Sequence, residues 1–393
     1  IFIFIEYQKT HFMFSEKDKL QIQNRGSNLE TINQQIEKFK EGFPFLHVEE
    51  AASVGNGIIQ LDEEKIKDNI GRYDEKIADG VQPLKFVPAS GAASRMFKAL
   101  FSALEECETS KTPEEILQKN KDAKQFTENI DKFAFYSELK NKIEENGGKE
   151  NCKNLVDFLL TEKGLDYGSL PKGLLKFHKY KTAERTPFEE HMAEGAKYAK
   201  DRNGKVKLHF TVSPEHQENF ENLLQQIKEP FEKELEVTFE VSFSQQKPST
   251  DTIAVDIKNE PFREADGSLL FRPGGHGALI ESLNDLDADI IFIKNIDNVV
   301  PDKLKQPTIE YKKALAGVLL KYQEKIFLYQ KELNEKHPAA LDHAFLAEAA
   351  NFLENRLNTK PAESQYYTEK EELYHYLKEK YNRPIRVCGM VKN

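Results

Sequence analysis

The sequence holds 393 residues with 39% hydrophobic and 31% charged side chains, enough for one large α/β domain with helical additions or for two domains. Its 56 basic and 66 acidic side chains leave a net charge of −10, which argues against non-specific binding to nucleic acid or to an anionic membrane. Three widely spaced cysteines, Cys107, Cys152 and Cys388, fit free thiols in a reducing, cytoplasmic setting and form no metal-type spacing.

The chain opens on Ile1-Phe2-Ile3-Phe4-Ile5. This run is too short to span a bilayer, lacks a preceding positive charge and is followed by Glu6 instead of a cleavage site. Met13 stands just before Ser15-Glu16-Lys17-Asp18, a helix-start pattern, so residues 1–12 are expected to be a leader outside the fold. Residues 13–83 read as helices that pack on the core. Ser27-Asn28-Leu29-Glu30 is a capping-box pattern, followed by Ile32, Ile36 and Phe39 at helical spacing and closed by Gly42. A second helix, from about Asp62 to Asp79, carries Ile66, Ile70 and Tyr73 on one face and ends at Gly80.

Leu84, Phe86 and Val87 then read as a strand that stops at Pro88 and opens into the small residues Ala89 to Ala93. Arg95 and Lys98 begin a segment that reads as a helix. A strand, a small-residue loop and a helix start together cradle a phosphate, because the backbone can approach the anion and the unpaired N–H groups of the first turn point at it. Arg95 adds a fork of donors suited to phosphate oxygens. An ordinary strand-to-helix turn accounts for the same residues, so the choice rests on the motifs downstream.

After a helix to about Glu106, Thr112-Pro113-Glu114-Glu115 opens another, and helical pattern broken at Gly147-Gly148 runs to about Leu160. Residues 107–165 are therefore expected to form a helical insertion in a core spanning residues 84–305. Leu170-Pro171-Lys172-Gly173 leads on to Arg185-Thr186-Pro187-Phe188-Glu189, a capping box on a helix reaching about Lys200. An α/β alternation comes next: strand Val206 to Val212, helix Pro214 to about Glu234, strand Leu235 to Phe243 and a short strand Thr252 to Ile257. Helix His276 to Leu286 and strand Asp289 to Ile293 complete it. The consecutive apolar residues of that last strand suit a central position with both faces covered. Such a rhythm implies a mostly parallel sheet that binds ligands at the carboxyl ends of its strands. Residues 306–393 are expected to be helical, with Leu315, Val318, Leu319, Tyr322 and Ile326 at helical intervals. A Tyr-rich helix from about Glu363 to Tyr381 precedes a strand from Pro384 to Val391, and stopping on a strand reads as a truncated C-terminus.

Two further motifs bear on chemistry. Pro273-Gly274-Gly275-His276-Gly277 is glycine-rich enough to let backbone approach a flat or phosphorylated ligand, with a tight turn carrying a surface histidine as the competing reading. Lys294-Asn295-Ile296-Asp297-Asn298 succeeds the last strand, where catalytic groups and metal ligands collect. One aspartate among asparagines suits Mg²⁺, which takes one or two carboxylates and completes its shell with water and phosphate oxygens, although an Asx turn capping the strand has the same composition. A P-loop kinase is disfavoured by the absence of Gly-x-x-x-x-Gly-Lys-Ser/Thr. His191, His337 and His343 form no zinc pattern and read as surface or packing residues.

Taken in order, the small-residue loop with Ser-Arg-Met, Pro-Lys-Gly, a Gln ahead of a Pro, Pro-Gly-Gly-His-Gly and Asn-Ile-Asp-Asn resemble the UTP–sugar-1-phosphate uridylyltransferases, of nucleotide-diphospho-sugar transferase fold. This resemblance covers about Leu84 to Asn298, with the helical block interrupting it. The whole chain from about Met13 is similar to an uncharacterised bacterial family, domain of unknown function 4301. The resemblance implies an α/β fold with a Rossmann-like, mostly parallel (mixed) sheet and added N-terminal, inserted and C-terminal helices. It implies nucleotide binding by Ala89, Ser90, Gly91 and Ala92, with Arg95 on the triphosphate and Lys172 neutralising phosphate charge. Gln245 or Gln246 would read the uracil edge, Gly274, Gly275, His276 and Gly277 would abut base and ribose, and Asp297 would hold Mg²⁺.

The implied reaction, carried by Arg95, Lys172 and Asp297, is transfer of a nucleotidyl group from a nucleoside triphosphate to a sugar-1-phosphate with release of pyrophosphate. Neither nucleic acid nor membrane takes part. The alternative is a nucleotide or nucleotide-sugar binding protein of the same fold without transfer. Two departures stand out: Ser90-Gly91-Ala92-Ala93-Ser94 carries alanine where those enzymes show more glycine, and Lys172 lies beyond the insertion instead of soon after the loop. Lys98, Arg272 and Lys294 flank the motifs as secondary candidates.

Overall fold

A computed structural model describes residues 14–46, 48, 50–108, 115, 119–361, 367 and 369–390. The leader, the helix start expected at Thr112 and part of the Tyr-rich segment after Glu363 lie outside them. The chain divides into two compact units, one combining residues up to Phe45 with Pro83–Pro301 and the other combining Leu46–Gln82 with Asp302–Asn393.

The first unit is built on a four-stranded sheet of β1 (Pro83–Pro88), β2 (Lys205–Thr211), β3 (Thr238–Ser244) and β4 (Ile290–Ile293). Its order is β4-β1-β2-β3, and every neighbouring pair is parallel. β1, β2 and β3 succeed one another outward, with the helix Gln217–Leu235 between the last two, and the chain then returns to place β4 on the opposite side of β1. The point where the winding reverses therefore lies between β1 and β4.

The apolar run at Ile290–Ile293 does form a strand, but at the edge of the sheet and not in its centre, and Ile293 is 50% exposed. The inner positions belong to β1 and β2, and β1 is buried at every residue. Its pattern conceals this because Lys85 interrupts it, and a lysine is buried in a strand only when a partner meets its charge. Thr252 to Ile257 departs from expectation too. Only Thr252–Ile253 forms a strand there, pairing antiparallel with Phe271–Arg272 in a separate ribbon, and Val255 makes an isolated bridge to Pro261.

One face of the sheet is covered by helices Pro187–Tyr198 and Gln217–Leu235, through Phe188, Met192, Val206, Phe210, Phe220 and Phe239. The Phe188 and Phe210 rings lie 4.6 Å apart, and burying each such side chain is worth about 1.5–3 kcal/mol. On the other face Leu84 and Phe86 pack with Leu279 and Leu283, from the helical turns His276–Leu279 and Ile280–Asn284. Helix Pro187–Tyr198 starts as its sequence dictates. Thr186 caps it by accepting from Glu189 N, the Glu189 carboxylate accepts from Thr186 N, and Pro187 occupies the first turn. Gly195 lets it press on the sheet, since a Cβ there would come 2.8 Å from Leu208 Cδ2.

The inserted helices Lys98–Glu108, Lys121–Glu128, Tyr136–Glu145 and Cys152–Leu160 close around a core of their own that includes Leu100, Phe126, Leu139, Ile143, Leu155 and Leu159. At the N-terminus Ser15 forms its capping box on helix Glu16–Asn24, whereas helix Leu29–Glu41 is capped one residue later than expected, by Asn28 instead of Ser27. Arg263 donates to both oxygens of the buried Asp18, at 2.8 and 2.9 Å.

In the second unit, helix Glu63–Asp79 packs on the 31-residue helix Lys305–Glu335. Their approach requires Gly317, where a Cβ would fall 2.0 Å from Asn69 O. Helices His343–Leu357 and Lys370–Tyr381 close a core around Tyr329, Leu333, Leu346, Leu353 and Leu377. The strand expected at Pro384 to Val391 is not formed over residues 384–390. Alternation of Ile385 with charged neighbours imitates a strand, but Ile385 packs against the helical core.

Candidate functional site

The loop after β1 begins where the ladder with β2 ends, as Ala89 N donates to Thr211 O at 2.8 Å. Ala89 is buried, and Ser90, Gly91 and Ala92 are exposed. What fixes this loop is the segment that returns from the insertion. Ala92 bridges to Pro171, and Lys172 N donates to Gly91 O at 3.1 Å. Lys172 lies on the single turn Lys172–Leu174, which sits close against the sheet because of Gly173. A Cβ there would come 2.8 Å from the Phe220 ring and 3.1 Å from Ile296 Cγ1. Placed this way, Lys172 Nζ donates to Asp297 Oδ2 at 2.7 Å, with the two side chains 27% and 41% exposed. Gly91, Lys172 and Asp297 thus meet at the carboxyl ends of β1 and β4, the reversal point of the sheet.

Arg95 differs from its expected place. The helix starts at Lys98, and Ser94 to Phe97 form a turn in which Met96 N and Phe97 N donate to Ala93 O. The first-turn N–H groups therefore belong to residues beyond the loop. Ala93 and Phe97 are drawn into the core of the insertion, which carries the helix start away from the small residues, and Arg95 is exposed on the turn.

A second group gathers at the end of β3. Gln246 Nε2 donates to Asp251 Oδ1 at 2.9 Å, and a Cβ on Gly274 would lie 3.8 Å from that same nitrogen and 3.2 Å from Thr250 O. Gln245 turns the other way and donates to Gln217 Oε1 at 2.9 Å. His276 and Arg272 are exposed. Most described glycines have a reason within the fold, being either left-handed or too crowded for a side chain. Gly91, Gly275 and Gly277 have neither: none is left-handed, and a Cβ on each would meet nothing within 4 Å. Among the described residues, Gly71, exposed on helix Glu63–Asp79, is the other such case.

Beneath the reversal point lies a cluster that sequence reading missed. Glu194, fully buried on helix Pro187–Tyr198, accepts from Lys85 Nζ of β1 at 3.1 Å, from Lys294 Nζ at 2.7 Å and from Tyr198 OH at 2.7 Å. Burial by itself would raise the Glu194 carboxyl. The Lys85 and Lys294 ammoniums, with the hydrogen bonds from Lys294 and Tyr198, outweigh it and hold the group well below the ordinary carboxylate range. His191, one turn earlier on the same helix, is also fully buried, and its Nε2 lies 3.1 Å from both Asn295 O and Ile296 O. Burial, aided by the nearby lysines, pushes its imidazole well below its usual value, so it is neutral. The signal available in sequence was the helical spacing of Glu190, His191 and Glu194 among Met192, Ala193, Gly195 and Ala196, which puts charge on an otherwise apolar helix face.

The face of β2 that carries His209 and Thr211 is polar. His209 stacks on Phe86, with its Nδ1 and Nε2 each 2.8 Å from a serine hydroxyl, of Ser242 and Ser244 respectively. The hydroxyls of Thr211 and Ser213, at the carboxyl end of that strand, are buried without a hydrogen-bond partner. Among the described residues, no group of three or more His, Cys, Asp or Glu side chains is arranged to hold a metal, and Asp297 stands as a single carboxylate. No described helix is long and apolar enough to cross a membrane.

No curated protein and no solved structure matches the chain. The model of the family described as Domain of unknown function (DUF4301) matches residues 15–393, and the chain belongs to that family.

Proposed function

We propose that the surface outside the carboxyl ends of β1 and β4 takes the phosphates of a nucleoside triphosphate, and that the protein transfers the nucleotidyl group, a uridylyl group, to a sugar-1-phosphate in the cytoplasm. The observation that carries this reading is the Lys172–Asp297 pair, 2.7 Å apart beside the loop of Gly91 at the reversal point of a parallel sheet. Open parallel sheets bind their ligands there, outside the carboxyl ends of the strands. The strand order β3-β2-β1-β4 is also that of the first half of a doubly wound, Rossmann-like nucleotide-binding sheet, which supports the nucleotide-diphospho-sugar transferase type. Gly91, Gly275 and Gly277 support it further, because the space that their missing side chains leave is required by nothing in the chain itself.

In this reading an oxygen of the sugar-1-phosphate attacks the α-phosphorus, a new P–O bond forms, and the bond from the α-phosphorus to the bridging oxygen breaks to release pyrophosphate. No covalent nucleophile from the protein is needed, only positioning and charge neutralisation. Lys172 leaves Asp297 to neutralise the α-phosphate, and Arg95, exposed on the turn after the loop, reaches the leaving pyrophosphate. Ala89 to Ala92 line the phosphates. Gln246 reads the base edge beside Gly274, Gly275, His276 and Gly277, and Gln245 is left to its bond with Gln217. The donor set at Asp297 fits Mg²⁺, since one exposed carboxylate flanked by Asn295 and Asn298 is what this ion takes when phosphate oxygens supply the rest. Bound there, Mg²⁺ would neutralise charge on the phosphate oxygens.

A second reading, nucleotide or nucleotide-sugar binding without transfer, is favoured by the helix start at Lys98, which leaves the first-turn N–H donors to residues beyond the small-residue loop. Pyrophosphate release from UTP, assayed with a panel of sugar-1-phosphates with and without Mg²⁺, separates the two. Release that needs Mg²⁺ and disappears in Asp297→Asn supports transfer. UTP binding without release, indifferent to Asp297→Asn, overturns it.

A further inference from the structure

The three residues ahead of Asp297 are gripped from beneath by one helix. Glu194 Oε2 accepts from Lys294 Nζ at 2.7 Å, and His191 Nε2 lies 3.1 Å from the carbonyl oxygens of both Asn295 and Ile296. From the side, Lys294 N and Ile296 N donate to Phe86 O and Pro88 O at 3.2 Å each, prolonging the ladder with β1 past the last residue of β4. Lys85 Nζ, from inside β1, donates to His191 O at 3.0 Å and so ties the helix turn to the sheet.

The choice of histidine at position 191 has no explanation in packing. Two carbonyls can only accept, so Nε2 carries the proton and shares it between them. Nδ1 is then a bare acceptor, and it is buried without a partner. An unpaired buried acceptor costs free energy that an apolar side chain of similar size would avoid. What the imidazole alone supplies is the N–H that two consecutive carbonyls share.

We propose that His191 is a positioning residue for the phosphate site: its shared Nε2–H sets the Asn295–Ile296 backbone and with it the place of Asp297 opposite Lys172. The inference rests on reading Lys172 and Asp297 as the phosphate-binding pair. His191 touches no ligand itself. Without its N–H both carbonyls lose a donor, Asn295 O keeping Asn298 N at 3.1 Å, the backbone ahead of Asp297 relaxes, and the carboxylate no longer faces Lys172 at bonding distance.

The test uses the full chain and the variants His191→Leu, which fills the space without a donor, and His191→Gln, whose amide N–H falls near the position of Nε2. Two quantities are read: the affinity for UTP with Mg²⁺, and ligand-free hydrogen exchange at the amides of Ile296 and Asn298. In H191L both affinity and protection fall at least tenfold, with protection in β2 unchanged, and H191Q recovers both to within about threefold, as a bond-specific role requires. Wild-type affinity and exchange in H191L would overturn the proposal. So would an H191Q as impaired as H191L, or an H191L that fails to fold or loses protection throughout the sheet, because His191 would then be an ordinary core residue. If the wild type binds no UTP while exchange responds as stated, the positioning role stands and the nucleotide reading falls.

Discussion

Lys172 Nζ lies 2.7 Å from Asp297 Oδ2, although 125 residues separate them in the chain. The insertion brings the lysine back to the loop it left, and the return of the chain from β3 to β4 brings the aspartate to the same edge. With both side chains partly exposed, the pair contributes at most about 1 kcal/mol to stability. Lys172→Met and Asp297→Asn are therefore expected to unfold in urea within about 1 kcal/mol of the wild type. A loss of several kcal/mol in either would make the pair a structural bridge instead of a ligand site.

The glycines supply a sharper separation of fold from function. Gly275→Ala and Gly277→Ala meet open space and no left-handed backbone, so each is expected to leave the melting temperature unchanged or to raise stability by about 0.4–1 kcal/mol, through the entropy of the unfolded chain. Both are expected to weaken UTP binding. Gly195→Ala, which presses on Leu208, is expected to destabilise by about 1–3 kcal/mol. Thermal melts paired with UTP titrations check all three, and stable Gly275 and Gly277 variants with wild-type affinity would leave these glycines no part in binding.

Removing Glu194 should be costly in a pH-dependent way. Glu194→Gln takes the carboxylate from two lysines that reach it from β1 and from the end of β4, and the expected loss is about 3–5 kcal/mol at pH 7. Because the folded-state carboxyl is held below its ordinary value, its stabilisation is present above about pH 4.3 and is lost as pH falls from there toward the folded-state value. The gap between wild type and variant in urea unfolding should thus narrow from pH 7 to pH 3. A gap that is constant or widens would contradict the cluster as described.

Two buried imidazoles predict a second pH dependence, at milder acidity. Burial pushes both His191 and His209 below the usual histidine value. The unfolded chain takes up protons near pH 6.5 that the folded chain refuses, so stability should fall as pH drops below about 6.5, by up to about 1.4 kcal/mol per pH unit for each site. His209→Asn should reduce that slope. Urea midpoints between pH 7.5 and 5.5 check it, and a flat profile would mean that these rings take up protons as readily in the folded chain as in the unfolded one.

Much of this architecture was legible because it is written locally. The Thr186 capping box, the α/β alternation and the strand leading to Ala89 are each set by residues within a few positions of one another. What was not legible depended on distant partners. The inner place of β1 was hidden because the Glu194 that meets the charge of Lys85 lies 109 residues away. The Ile290–Ile293 run looked central because apolar content reports burial and not the number of neighbouring strands. Pro384 to Val391 alternates like a strand, yet alternation supplies no partner to pair with. At the site, the residues that bear charge outward were visible as motifs. His191 and Glu194, which act on backbone and charge from below, carried no motif and emerged only from the helix face on which they lie.

The measurement that bears most directly on the central claim is calorimetric titration of UTP with Mg²⁺ into the wild type, Lys172→Met and Asp297→Asn. The phosphate site predicts saturable binding by the wild type and a loss of roughly ten- to a hundredfold in each variant, the scale of about 1.5–3 kcal/mol for a charge-assisted contact to phosphate. Absence of binding to the wild type at millimolar UTP, or binding that neither substitution weakens, would contradict it.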